Sequence, residues 1–430
     1  MEIHVVQAGE TIDSIARRYG VSISRIALDN GLREPYALAL GQALVILRPE
    51  QVHTVASGET LLSIARAYNV SPLQLLRNNP SLAEHPSLFY PGQTVAVRYP
   101  PPSMGKLVVN GYAYPFIPQP LLRRTAPFLT YLTLFAYGIT PAGNLIHLDD
   151  NAALSTIQPY GVAPLMLLTA MDENGQFSNL LASAVLNDSS ARQVLIEEVA
   201  RNLGQKGYRG VDLDFEYILA QDTEAYVRFV RELSSALNPQ GYVVFVALAP
   251  KTSSDQAGTL YEGHDYAGMG WAANAALLMT YEWGYAYGPP MAVAPIGNVR
   301  RVLHYAVTQI EPGKLLLGIP NYGYDWPLPY TKGVTKAASI SNVEAVELAV
   351  RMGATIRYDE TAQSPWFSYT DAQGQAHEVW FEDARSIQAK LMLPHEYGLK
   401  GVGYWNLMRE FPQNWAVLNA MYAVGPDADA

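Results

Sequence analysis

Residues 208–217 read YRGVDLDFEY, with Asp212, Asp214 and Glu216 at every second position between Val211, Leu213 and Phe215. Period-two alternation is the pattern of a β-strand, so the three acids share one face and the apolar residues the other. At about 3.3 Å per residue the carboxyls rise in steps of roughly 6.6 Å, with Glu216 outermost. Enclosed away from water, such a column cannot ionise fully. A proton is then expected to be shared between Asp212 and Asp214, and Glu216 to titrate above the usual carboxylate range. A carboxyl that keeps its proton near neutrality can serve as a general acid. An acidic face open to solvent and a divalent-metal site are the competing readings of the same stretch.

The neighbouring elements weigh between them. After Gly105, β-rich runs at 107–112, 131–137, 163–169, 208–216, 242–249, 275–281, 314–320 and 399–405 alternate with amphipathic segments such as 190–203, 223–237 and 298–309. Eight βα units in about 300 residues predict a (β/α)8 TIM barrel rather than an open doubly wound sheet. The acidic stretch is then the fourth strand. Its apolar side chains meet the outer helices, its acids face the axis, and Glu216 reaches the C-terminal mouth where barrel enzymes keep their chemistry. A strand feeding a helix fits poorly with an exposed face, and few metal ligands converge from the other strand ends. About 80 residues separate the seventh and eighth runs, enough for a small α+β insertion around 330–380.

The first hundred residues follow another pattern. HVVQAGETIDSIARRYGV at 4–21 returns as HTVASGETLLSIARAYNV at 53–70, an offset that also maps Asn30 onto Asn79. A repeat of this period signals an array of small units. Each reads as βααβ: a short strand, a Gly-Glu-Thr turn, a helix N-capped by Thr11 or Thr60, a second helix, and a closing strand after a Gly-Gln turn. Pro100-Pro101-Pro102 ends the repeat and is expected to form an extended spacer. The domains are therefore read as 1–49, 50–99 and 100–430.

Composition narrows the function classes. The chain has no cysteine, which removes disulfide frameworks and thiolate chemistry. A net charge of -10 without a basic run argues against nucleic acid as a partner. Residues 1–99 carry eight Arg against eight Asp plus Glu, so the repeats should not find their ligand by charge. No window approaches the roughly 18 apolar residues of a membrane span. The start, MEIHVVQAGE, lacks the features of a classical signal peptide.

Two resemblances follow from these residues. The repeats, with their GET turn, SIA helix, Asn and Gly-Gln turn, resemble the LysM module, a βααβ fold that binds N-acetylglucosamine-containing glycans. The resemblance implies a groove between the first turn and the loop after the second helix, formed by Gly9, Thr11, Ile12 and Asn30 in one copy. Gly58, Thr60, Leu61 and Asn79 would form it in the other. The remainder resembles glycoside hydrolase family 18, the chitinase-type barrels. Arg209-Gly210-Val211-Asp212-Leu213-Asp214-Phe215-Glu216 matches that family's DGxDxDxE, Met279-Thr280-Tyr281-Glu282 its MxYD, and Trp405 in GVGYWNL its barrel-floor tryptophan. Asn110-Gly111-Tyr112 and GIPNYGYDW at 318–326 fit its first and seventh strands. Arg209 and Glu282 replace the aspartates the pattern carries.

The family resemblance implies a retaining, substrate-assisted mechanism without metal or cofactor. In it Glu216 protonates the glycosidic oxygen, and the substrate's 2-acetamido oxygen attacks C1. Asp214 holds the acetamido N–H, Tyr281 its oxygen, and Asp212 modulates Asp214. Trp405 floors the sugar, Glu282 helps to position it, and Tyr112, Asn321, Tyr322, Trp283 and Trp326 are candidates for lining the cleft. LysM repeats joined to a barrel with MTYEWGYAYGPP resemble the spore cortex-lytic N-acetylglucosaminidase branch. That implies peptidoglycan as partner, an endospore location in coat or cortex, and action during germination. A monomer is expected. A chitinase and a non-catalytic glycan-binding protein are the alternatives.

Overall fold

The computed structural model describes residues 1–84 and 89–427, so residues 85–88 of the expected second module and 428–430 of the barrel domain lie outside the described residues. The first repeat pairs strand Glu2–Val5 antiparallel with Ala43–Ile46, around helices Ile12–Tyr19 and Ile23–Asn30. The second pairs Gln51–Thr54 with Thr94–Arg98, around Leu61–Ala67 and Pro72–Asn78. Local chemistry explains the match. Thr11 and Thr60 each accept from the amide three residues on, and Ser14 and Ser63 return the bond, closing a capping box in each copy. In each copy, too, a histidine bridges a tyrosine and a glutamate: His4 with Tyr19 and Glu10, His53 with Tyr68 and Glu59.

The barrel strands are β1 (Lys106–Ala113), β2 (Tyr131–Ile139), β3 (Ala163–Leu168), β4 (Gly210–Leu213), β5 (Val243–Leu248), β6 (Ala275–Leu278), β7 (Leu315–Pro320) and β8 (Gly401–Trp405). Neighbours pair in parallel around the ring, and β1 pairs with both β8 and β2, which closes it. This is the expected (β/α)8 barrel. Helix Ser189–Lys206, capped by Asp188 and ended by Gly207 at φ 72°, delivers the chain to β4. Gly210 opens that strand because a Cβ there would lie 2.1 Å from the Val243 carbonyl oxygen.

The fourth strand is shorter than its alternation suggests. The ladder ends at Leu213, Asp214 donates one further bond to the Leu168 carbonyl, and the chain turns out through Glu216 and Tyr217, the latter at φ 57°.

Between β7 and β8 an antiparallel five-stranded sheet runs from Gly323 to Trp380, with helix Asn342–Met352 packed beside it. The triple proline does not hold the repeats at a distance. Gln413, in the last barrel helix Pro412–Met421, donates to Asn30 at 3.0 Å and to the Ala43 carbonyl at 2.8 Å. Arg25 of the first repeat donates to the Asn78 carbonyl of the second at 2.7 Å, and Arg77 donates to the Pro127 carbonyl at 2.5 Å. Both repeats are docked on the barrel.

Candidate active site

The acids form a column graded by depth. Asp212 is fully buried, opposite Leu167 of β3 and Phe245 of β5 in the ladder. One of its oxygens accepts from Tyr112 at 2.6 Å and from Thr133 at 3.3 Å, and the Asn110 side chain adds to their pull on the carboxylate. Burial raises its carboxyl to about 6, against the opposing pull of these donors. Asp214 is buried one step higher, and its Oδ1 lacks a partner. Its backbone is fixed by Thr169, which donates to the Asp214 carbonyl at 2.6 Å. Burial first, then the charges of Glu216 and Asp212, push it well above the usual carboxylate range. Glu216 stands half-buried at the mouth, raised by burial and by the neighbouring Glu282. The three acids lie in the depth order that the alternation predicts, with Glu216 outermost.

Above them lies a cleft of about 820 Å³ lined by Asp214, Glu216, Tyr281, Glu282, Trp283, Asn321, Tyr322 and Trp405. Tyr281 follows β6, and its ring lies so close to β7 that a Cβ at Gly318 would come within 2.9 Å of it. Glu282 adopts φ 65° and accepts from Tyr322 and, at 3.0 Å, from Tyr324. Asn321 donates to the Asn406 and Arg409 carbonyls at 2.8 Å each, leaving its buried Oδ1 without a partner. Trp405 closes the floor against Phe135 and Tyr112, with ring centroids 5.3 and 6.0 Å away. Among the described residues no cluster of three or more His, Asp or Glu could hold a metal ion.

Glycosyl hydrolases family 18 matches residues 166–410, and LysM domains match 4–47 and 53–98. The cortical fragment-lytic enzyme of Bacillus subtilis (strain 168) is 40% identical over 99% of this chain and 99% of its own. The crystal structure of the Bacillus cereus spore cortex-lytic enzyme SleL superposes with a TM-score of 0.83 at 37% identity, covering 99% of this chain and 98% of that one. Its Bacillus megaterium counterpart gives 0.84 at 36% identity, over 99% of each chain. This chain belongs to glycosyl hydrolases family 18. It is a glycoside hydrolase carrying two LysM domains.

Two expected contacts of this family 18 cleft are placed elsewhere. Tyr112 does not line it. Its hydroxyl is spent on Asp212 beneath the floor. Trp326 is fully buried and donates to the Gly288 carbonyl at 2.9 Å, because it packs among Ala292, Val293, Tyr324 and Trp380, where the insertion meets the loop after β6. Asp212 supports the site from below.

The LysM asparagines are corrected too. Asn30 and Asn79 are buried, and each donates to the carbonyls of its own second helix and closing strand while accepting that strand's amide. They clamp each module and present no open polar group to a glycan. Gly9 and Gly58 sit in open turns at φ 83° and 84°, Thr11 and Thr60 are exposed caps, and Ile12 is buried in its module core. Thr60 and Leu61 border a groove of about 370 Å³ that also meets Tyr160 of the barrel.

Several cleft residues escaped the sequence reading: Tyr114, Tyr217, Tyr285, Tyr324 and Arg409. Beside the cleft, buried His264 accepts from the Ala249 amide at 2.9 Å and reaches the Phe215 carbonyl at 3.3 Å, tying β5 to the turn that bears Glu216. Burial lowers its pKa to about 4, which keeps it neutral.

Proposed function

We propose that this protein is a peptidoglycan hydrolase of the N-acetylglucosaminidase type, acting on spore cortex or its fragments by substrate-assisted retention. The observation that carries the reading is a buried carboxyl, Asp214, which keeps one oxygen without a partner and lines the same cleft as Glu216, Tyr281 and the Trp405 floor. An N-acetyl sugar supplies what these groups lack: an amide N–H for Asp214, a carbonyl oxygen for Tyr281, and an apolar sugar face for Trp405. Glu216, raised in pKa, donates its proton to the glycosidic oxygen as the acetamido oxygen attacks C1. It then takes a proton from water as the oxazolinium ring opens. Asp212, held by Tyr112, keeps negative charge close under Asp214 as the acetamido nitrogen becomes positive.

The cortex assignment is supported by the near full-length likeness to the Bacillus cortical fragment-lytic enzymes, LysM domains included. Docked modules would hold the cleft on an insoluble polymer and raise its effective concentration there. Such a function implies an endospore location, in coat or cortex. Mass spectrometry of products from purified cortex fragments and from chitin tests this. N-acetylglucosamine is expected at new reducing ends of cortex fragments, with Glu216→Gln reducing the rate by about 10²–10⁴-fold. Efficient chitin cleavage with inert cortex would replace this reading by the chitinase one.

A further inference from the structure

The cleft is acidic, with Asp214, Glu216 and Glu282 in its wall, and Arg409 is the one Lys or Arg among its lining residues. This arginine is held in place without being neutralised. It donates to the Ser339 hydroxyl at 2.9 Å and reaches the Ser339 carbonyl at 3.5 Å, both uncharged acceptors. Among the described residues it makes no ion pair. Glu344, which feels its charge, is already bonded to the Ser341 amide at 3.0 Å.

Its loop is rigidly supported. Asn321 donates to the Arg409 carbonyl, and the Leu407 amide donates to the Tyr112 carbonyl at 2.8 Å. Glu410, the next residue, accepts from Arg33 of the first LysM domain and from Arg124, each at 2.8 Å. Ser339 itself belongs to strand Ala338–Ile340 of the insertion, so the insertion holds the guanidinium while the barrel and the first LysM domain hold its loop.

We propose that Arg409 binds a carboxylate of the glycan, carried by the lactyl group or attached peptide of a muramyl residue beside the bond that is cut. The proposal rests on the peptidoglycan reading above and names the group by which that polymer is told from chitin. A planar guanidinium fork matches a carboxylate with two parallel N–H donors, and pre-positioning reduces the entropy lost on binding. In peptidoglycan every N-acetylglucosamine has muramyl neighbours, whereas chitin is uncharged. Muramic-δ-lactam, whose carboxyl is consumed in its ring, offers Arg409 no such contact.

The test compares native cortex fragments with the same fragments after carbodiimide amidation of their carboxyls, using full-length wild type, Arg409→Ala and Arg409→Lys. For wild type, amidation is expected to lower kcat/KM by about ten- to a hundredfold, mainly through KM, as for a charge-assisted hydrogen bond. Arg409→Ala should show that loss on native fragments and be indifferent to amidation, with Arg409→Lys in between. A wild type insensitive to amidation, or an alanine variant that stays sensitive to it, overturns the proposal while leaving the peptidoglycan reading intact. A wild type that cuts neither preparation overturns both.

Discussion

The barrel and the LysM domains both bury polar side chains, and they treat them in opposite ways. Asn30 and Asn79 have their amide groups saturated by backbone donors and acceptors of their own modules. Asp214, just as deeply buried, keeps an oxygen without a partner. A buried carboxyl left in that state costs stability, and a fold tolerates it where the missing partner arrives with substrate. Glu382, buried beside Lys390 and outside the cleft lining, also keeps an oxygen without a partner, so an open carboxyl oxygen marks chemistry only where the residue lines the cleft.

The sharpest way to break this comparison is Asp214→Ala. Loss of the group facing the acetamido nitrogen is expected to lower kcat by about 10²–10³-fold. Melting temperature should rise at the same time, because a destabilising group has gone. The gain has a pH signature. A carboxyl raised on folding favours the folded state at low pH and loses that advantage as pH climbs through its folded pKa, so the rise should be larger near neutrality than at about pH 4. Differential scanning fluorimetry across pH reads this. An inactive variant that melts lower than wild type would assign Asp214 to the framework instead.

Asn79→Ala probes the other side. It leaves the Ala96 amide and the Leu75 and Ala96 carbonyls without their side-chain partner, at a cost of about 2–4 kcal/mol. Hydrogen exchange localises the effect, since a chain of several domains need not unfold in one step. Protection should fall in the second LysM domain, while turnover of a small soluble glycan by the barrel stays near wild type. Unchanged protection with lost glycan binding would restore Asn79 to the ligand groove.

What was legible in the sequence divides along the same line. The acid column could be read because period-two alternation survives whatever surrounds it, and the barrel because its strands recur as apolar runs between helices. The repeat located both asparagines, but a motif records recurrence and not which partner a side chain faces. Trp326 lies two residues beyond Tyr324 on one strand, yet only the folded insertion decides that its ring is enclosed. Arg409 was invisible for a related reason. Its position depends on Ser339 and Asn321, 70 and 88 residues away, and loops carry no periodicity that announces such contacts. The docking of the LysM domains through Gln413 and Asn30, 383 residues apart, was beyond reach in the same way.

The smallest effect expected concerns Glu282, where this sequence departs from the family's aspartate. Its two tyrosine donors place it between the saturated and the open extremes. Burial is the first cause of Glu216's elevated pKa and the Glu282 charge the second. Glu216 must be protonated to act as acid, so the alkaline limb of the kcat profile follows its pKa in the substrate complex. Glu282→Gln removes the negative charge while keeping the length of the side chain, and the limb should move to lower pH. Glu282→Asp should leave it nearly in place. A limb that stays fixed, or moves upward, in the glutamine variant would mean that burial alone sets the acid, leaving Glu282 only its hydrogen bonds to the sugar and the two tyrosines.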